Sequence, residues 1–385
     1  MKNFVFNNQT RILFGKGQIA NMADEIPEDS KILMIYGGGS IKLNGIYDQV
    51  TDAISEYEYF EFSGIEPNPS YEKCMEALDM IEELEIDFLL AVGGGSVVDA
   101  TKFIAAAAMY QGVDPWDILA RSEEIDDALP LGVVLTLPAT GTEMNGNSVI
   151  SRLEYKEKLV FGSPLVNPIF SVLDPLVIKT LPKKQIGNGV VDAFVHVIEQ
   201  YLCYPVNAKI QDRFAEGILL TLIEEGPKVL KDPENYDACA NFMWSTTMAL
   251  NGLIGAGVPQ DWTSHMIGHE ITALEKLDHA QTLAIVLPGV MKVMQQAKKD
   301  KILQYGLRVW GINGSSEDEN INLAIQKTVE FFESMGLKTR LKDYGISIDT
   351  IELIVERMEN RGDINIGENK LIGVDEIRKI LQERF

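Results

Sequence analysis

Asp87-Phe-Leu-Leu-Ala-Val-Gly-Gly-Gly-Ser-Val-Val-Asp-Ala100 decides the fold of the N-terminal half. Asp87–Val92 reads as a buried strand, the glycines as a tight turn, and Val97–Tyr110 as the helix that follows. The same rhythm recurs on both sides. Apolar runs at Lys31–Tyr36, Tyr59–Phe62, Val133–Leu137 and Phe170–Leu173 read as strands, and Tyr71–Glu85 as a helix. Strands alternating with helices predict a mostly parallel, doubly wound sheet. Beyond Leu181-Pro182 the strand-like runs nearly vanish. Lys184–Leu202, Gln211–Leu230, Asn241–Leu253, Trp262–Leu277, Ile321–Met335 and Ile348–Arg361 instead carry 3.6-residue periodicity. The expected architecture is an α/β Rossmann-like nucleotide-binding domain at 1–180, followed by an all-α metal-binding and catalytic domain at 181–385. A chain of 385 residues is long enough for two cores.

Two more glycine-bearing turns follow predicted strands: Gly37-Gly38-Gly39-Ser40, and Pro138-Ala-Thr-Gly-Thr-Glu143. Glycines between a strand and a helix let backbone N–H groups approach a phosphate, and the helix N-terminus favours its charge. Two GGGS turns in one sheet point to a dinucleotide site. The usual fingerprint is incomplete, because Val98 stands where its third glycine would be. From Tyr36 to Lys42 there is no carboxylate to bind a ribose 2′-hydroxyl, while Ser40 and Lys42 suit a 2′-phosphate. NADP(H) is therefore expected over NAD(H).

The four histidines all fall between His196 and His279. Gly189-Val-Val-Asp-Ala-Phe-Val-His-Val-Ile-Glu-Gln200 places Asp192 and His196 one helical turn apart, on a shared face. Trp262-Thr-Ser-His-Met-Ile-Gly-His-Glu270 does the same for His265 and His269, and His279 opens the next helix. One carboxylate and three imidazoles suit a divalent ion with an open position, Fe²⁺ and Zn²⁺ alike. Asp192, His196, His265 and His279 are assigned to the ion. His269 becomes a neighbouring or proton-relay residue, because two histidines from one turn would crowd the site. Between Asn241 and Val290 the one Lys or Arg is Lys276, whereas Leu253, Trp262, Met266 and Met291 supply apolar surface. Neutral aldehydes or alcohols fit such surroundings better than phosphorylated substrates, which call for several bases.

The bulk composition excludes other classes. The formal charge of −23 opposes binding to nucleic acid or anionic membranes. Apolar runs are too short to span a bilayer, and Met1–Gly15 has no sustained apolar region, so no signal peptide is expected. Cys74, Cys203 and Cys239, an odd count without a CxxC pair, fit a reducing cytoplasm.

The ordered set Gly93–Ser96 with Asp99, Pro138–Glu143, Leu173-Asp174-Pro175, Asp192…His196 and His265…His269…His279 resembles the iron-containing (group III) alcohol dehydrogenase family over the whole chain. Thr10–Gly17, Tyr36–Ser40, Gly64–Pro69 and Gln211–Gly217 are similar to its NADPH-dependent aldehyde reductases, with butanol dehydrogenases close by. The resemblance implies a dehydroquinate-synthase-like fold, a homodimer and an active site in the cleft between domains. It implies metal ligation by Asp192, His196, His265 and His279. It also implies cofactor contacts at Gly37, Gly38, Ser40, Gly94, Gly95, Ser96, Asp99, Thr136, Thr140, Thr142 and Lys158. Thr142 departs from a common serine but keeps the hydroxyl. The expected activity is metal-dependent hydride transfer between NADPH and short-to-medium neutral aldehydes, giving primary alcohols. The rivals are an NADH-preferring butanol or polyol dehydrogenase, a dehydroquinate-synthase-type lyase, a metal-dependent hydrolase and a cofactor-sensing binding protein.

Overall fold

The structure is a computed structural model describing residues 1–385. One compact unit comprises Asn7–Pro182 with Pro233–Thr247; the other comprises Met1–Phe6, Lys183–Asp232 and Met248–Phe385. A boundary at 180 anticipates neither exchange.

The first unit holds eight strands: β1 (Arg11–Phe14), β2 (Lys31–Tyr36), β3 (Glu58–Phe62), β4 (Phe88–Gly94), β5 (Leu131–Leu137), β6 (Asn147–Arg152), β7 (Glu157–Gly162) and β8 (Phe170–Leu173). Six of them form one parallel sheet in the order β1-β8-β5-β4-β2-β3. The central strands β2, β4 and β5 are apolar nearly throughout and buried, as a sheet covered on both faces requires. The edge strand β1 and the antiparallel pair β6–β7 were not foreseen. β1 has only four residues, and its pairing with β8 is what makes it a strand. β6 and β7 show no polar–apolar alternation in sequence; they pair with each other, and β6 also bridges through Ser151 to Ser70.

Helices of this unit are α1 (Ser40–Leu43), α2 (Ile46–Ala53), α3 (Tyr71–Leu84), α4 (Gly95–Met109) and α5 (Asp117–Ala120). α4 is buried from Val97 to Ala107 apart from Asp99's neighbourhood, and Lys102 within it is wholly enclosed. The remaining helices are α6 (Lys183–Tyr201), α7 (Lys209–Lys231), α8 (Tyr236–Ala249), α9 (Thr263–Glu275), α10 (His279–Val293), α11 (Lys299–Val309), α12 (Glu317–Ser334), α13 (Asp349–Arg361) and α14 (Val374–Glu383). Most of α8 belongs to the α/β unit. There Trp244 meets Phe14 edge-on at 5.7 Å, and Thr247 Oγ1 donates to Glu143 Oε1 at 2.5 Å.

In the helical unit, Ile267 and Ile271 of α9, Ile285 and Val286 of α10, Ile354 of α13 and Ile377 and Ile380 of α14 form one apolar cluster. Glu270 of α9, buried, accepts from Arg357 Nε at 2.8 Å and Arg361 Nη2 at 2.6 Å, one turn apart on α13. These contacts hold α9 in place. α11 and α14 escaped the periodicity reading because each is short and rich in charge. No helix is long and apolar enough to cross a membrane.

Candidate functional site

The nucleotide turns begin with topology. Gly37–Ser40, Gly93–Ser96 and Pro138–Glu143 follow β2, β4 and β5, which are adjacent and parallel, so all three turns open on one edge of the sheet. The chain leaves β2 for β3 on one side and returns as β4 on the other. That reversal is where α/β sheets bind nucleotides. α4 starts at Gly95 with no side chain capping it, leaving its first N–H groups for an anion. A Cβ on Gly95 would lie 2.7 Å from Thr140 Oγ1, so only glycine lets the two turns approach this closely. Gly37, Gly38, Ser40, Gly94, Gly95, Ser96, Thr136 and Thr140 all sit on or beside these turns.

Asp99, Thr142 and Lys158, expected at the cofactor, make hydrogen bonds within the α/β unit. Asp99, half-buried on α4, accepts from Thr142 Oγ1 at 2.6 Å and from Val149 N at 3.0 Å. Lys102 Nζ donates to Thr142 O at 2.6 Å, Thr142 Oγ1 at 2.7 Å and Asn147 O at 2.9 Å. The Asp99 and Thr142 side chains are thus spent on bracing the third turn. Burial lowers the Lys102 ammonium to about 8 and raises the Asp99 carboxyl, each offset in part by the other. Lys158 Nζ donates to Asn68 Oδ1 at 2.8 Å, and Asn68 N donates to Ser96 Oγ at 3.3 Å. Gly64–Pro69 is thereby joined to the second turn.

Lys42 is paired with a carboxylate beside the first turn. Glu61 of β3 accepts from Lys42 Nζ at 3.0 Å, Tyr36 Oη at 2.6 Å and Tyr47 Oη at 2.6 Å. A carboxylate therefore stands beside the first turn after all, brought by the neighbouring strand rather than by residues 36–42.

The metal-type cluster is built on α6. Lys184, Asn188, Asp192 and His196 recur every four residues and form one stripe. Lys184 Nζ and Asn188 Nδ2 reach Asp278 Oδ2 at 2.8 and 2.9 Å, pinning the start of α10, where Asp278 and Gln281 form a capping box. His279 is thereby delivered to Asp192: its Nε2 lies 3.7 Å from Asp192 Oδ1, and His196 Nδ1 lies 3.6 Å from the same oxygen. On α9, Gly268 admits Thr282 of α10, whose Oγ1 would lie 2.8 Å from an added Cβ. This close approach carries His265 to within 5.2 Å of His279, ring to ring, and 4.6 Å of His196.

One donor atom each from Asp192, His196, His265 and His279 lies within 4.8 Å of the others. Donors bound to a single ion at about 2.1 Å can be at most roughly 4 Å apart, so a sub-ångström closure makes a coordination sphere. Asp192, His196 and His265 are buried, and His196 Nδ1 is enclosed without a hydrogen-bond partner. Burial and the neighbouring His265 hold His196 well below the ordinary imidazole range, in the neutral form that binds metals. The donor chemistry thus fits a divalent ion. His269 is half-buried outside the group, with ring centroids 6.4 Å from His265 and 5.3 Å from His279.

Among the apolar candidates, Trp262 stands beside His196 and His265 at 6.1 and 5.1 Å, held in the left-handed region at φ 65°. Met291 is enclosed in the core of the unit, and Met266 packs against the apolar cluster. The poverty of basic residues also holds only along the chain, since Lys184 folds in from α6, and Lys298 Nζ pairs with Asp261 at 2.5 Å. The sequence assigns Glu199 of α6 no role, but the fold brings it to His265. Its Oε2 lies 3.2 Å from His265 Nδ1, and its Oε1 accepts from Ser264 N at 2.9 Å.

Comparison with known proteins agrees with this geometry. Residues 9–175 match the iron-containing alcohol dehydrogenase family, and residues 187–385 match its Fe-containing C-terminal region. The NADPH-dependent aldehyde reductase YqhD of Escherichia coli is 56% identical over 384 residues, 99% of both chains. Its crystal structure superposes with a TM-score of 0.98 at 55% identity, over 100% of this chain and 99% of that one. The NADH-dependent butanol dehydrogenase A of Thermotoga maritima superposes at 0.95 with 37% identity, over 100% and 99%. The chain belongs to the iron-containing alcohol dehydrogenase family.

Proposed function

We propose that this enzyme interconverts short-to-medium neutral aldehydes and primary alcohols, using NADP(H) and one divalent ion, Fe²⁺ or Zn²⁺. The observation that carries the reading is the convergence of Asp192, His196, His265 and His279 within 4.8 Å. When bound there, the ion supplies Lewis acidity toward a carbonyl oxygen. The dinucleotide supplies the hydride. Asp192 contributes the one anionic donor, and the three imidazoles bind through neutral nitrogens, which leaves the site net positive toward an oxygen ligand. Trp262 screens the histidines from water on one side. His269, beside His265 and His279, is placed to pass a proton through water to the product oxygen. Gly37, Gly38, Ser40, Gly94, Gly95, Ser96, Thr136 and Thr140 bind the cofactor, largely through backbone N–H groups.

In this reading the α/β unit is the nucleotide-binding domain and the helical unit the catalytic one. The name of the 56%-identical relative supports NADPH. The Lys42–Glu61 pair favours a second reading, an NADH-preferring enzyme, because it offsets the positive charge offered to a 2′-phosphate. Three buried thiols, none joined in a disulfide, support a reducing cytoplasm, and the family resemblance supports a homodimer.

The test follows absorbance at 340 nm with butanal and NADPH or NADH, with and without chelator, alongside elemental analysis of protein purified without added metal. Chelator-sensitive turnover with a higher kcat/KM for NADPH is expected. Undiminished turnover by metal-free protein would overturn the metal reading. A higher kcat/KM for NADH would overturn the cofactor choice.

A further inference from the structure

Glu199 occupies an unusual place for a carboxylate. It lies on α6, three residues after His196 and seven after Asp192, and is 3% exposed. One oxygen, Oε1, accepts from Ser264 N at 2.9 Å; the other, Oε2, meets His265 Nδ1 at 3.2 Å. Ser264 is the second residue of α9, whose N-cap position is held by Trp262 without a capping side chain. Glu199 therefore does from another helix what an N-cap residue would do, and with its second oxygen it reaches the next side chain along.

The surroundings hold this carboxylate still. Asp261 N donates to Glu199 O at 2.9 Å. Asp261 in turn pairs with Lys298, whose Nζ also bonds Leu202 O at 2.9 Å and both oxygens of Glu368 at 2.8 Å. The end of α6, the start of α9 and the loop at Glu368 are locked by this one ammonium group.

We propose that Glu199 is a positioning residue: it keeps the proton of His265 on Nδ1, so that Nε2 faces Asp192, His196 and His279 as the donor. The inference rests on the metal reading above. A neutral imidazole carries one N–H, and whichever nitrogen bears it cannot ligate. Burial and the neighbouring Asp261 push the Glu199 carboxyl up to about 8, so at about pH 8.5 it is largely ionised; an ionised carboxylate accepts but does not donate, and the nitrogen facing it then carries the hydrogen. Carboxylate–histidine–metal triads of this kind set the ring's orientation as well as its tautomer.

Glu199→Gln separates this role from simple helix capping. The amide oxygen can still accept from Ser264 N, but the amide NH₂ then faces His265 Nδ1 and donates to it, driving the proton to Nε2. The experiment labels the histidine rings of the full chain with ¹⁵N and records long-range ¹H–¹⁵N correlations of the metal-free protein at about pH 8.5, well above the ordinary imidazole range. With four histidines, His265 is assigned by the signals lost in His265→Asn. Zinc affinity is measured in parallel by competition with a chromogenic chelator.

The expected result is an Nδ1–H tautomer at His265 in the wild type and an Nε2–H tautomer in Glu199→Gln, with zinc affinity lower by about 10–100-fold. A wild-type His265 protonated on Nε2 overturns the proposal, and needs no folded variant to do so. Zinc affinity in folded Glu199→Gln within about twofold of wild type overturns it too, because second-sphere loss should exceed that. Failure of the wild type itself to bind zinc, iron or cobalt would instead sink the metal reading, and the tautomer of His265 would still be read directly.

Discussion

Asp99, half-buried, and Asp192, buried, are aspartates on helices of the two units, and they are used in opposite ways. Asp99 has both oxygens engaged within its own unit, by Thr142 Oγ1 and Val149 N, with Lys102 beyond them. Asp192 faces the side chains of His196 and His279 at 3.6 and 3.7 Å. The α/β unit thus spends its buried charge on holding a turn in shape and presents backbone N–H groups outward. The helical unit spends its backbone on helices and aims side chains at a common point. A phosphate needs many weak, fixed donors, which backbone supplies; a metal ion needs a few strong ones of defined chemistry, which only side chains supply.

The sharpest way to break this contrast is His279→Ala. It should remove bound metal and lower turnover by about 10³-fold or more, since Lewis-acid stabilisation is worth several kcal/mol. NADPH binding, followed by fluorescence titration, should stay near wild type. If cofactor affinity collapsed together with metal content, the two regions would not be separable.

Lys102→Met is the counterpart in the α/β unit. It leaves the carbonyls of Thr142 and Asn147 buried without their donor and should cost about 3 kcal/mol of unfolding free energy. Metal content, measured by elemental analysis, should not change. The pH dependence sharpens the point. In the folded chain Lys102 lies at about 8, against 10.5 as its ordinary value. Between these values the native state binds fewer protons than the unfolded one, so this group's contribution to stability rises with pH through the window and is lost as pH falls through about 8. The wild-type-minus-variant stability curve, from urea unfolding at a series of pH values, should climb over that interval by up to about 3 kcal/mol. A flat difference curve would mean that the lysine is charged throughout.

Gly95→Ala should have the smallest effect. Its new methyl displaces Thr140 and separates two phosphate-facing turns, which should weaken NADPH binding by about tenfold, or about 1.4 kcal/mol. Zinc affinity should be untouched. Unchanged cofactor affinity would show that the backbone of these turns does not carry the nucleotide.

Much of both regions was legible because their signals are local. A strand ending in Gly-Gly-Gly-Ser, and an aspartate four residues before a histidine, imply their geometry from one segment alone. What escaped reading depends on distant segments. Glu61 reaches the first turn only because β3 pairs with β2, so a search confined to residues 36–42 could not find it. Glu199 gains meaning only when α9 lies against α6. Met291 looked like pocket lining because its neighbours in sequence are near the histidines, yet helical rotation turns it into the core. α8 was assigned by its place in the chain to the helical domain, whereas its packing through Trp244 and Thr247 belongs to the α/β unit.

By itself the sequence determined the central alternation of strands and helices, the three glycine-bearing turns and four candidate donors for an ion, because periodicity and short spacing are properties of a single backbone segment. Only the tertiary structure decided which carboxylates face those groups, which lysine braces a turn and which oxygen meets His265. Those pairings join residues tens of positions apart, and only folding brings them within hydrogen-bond distance.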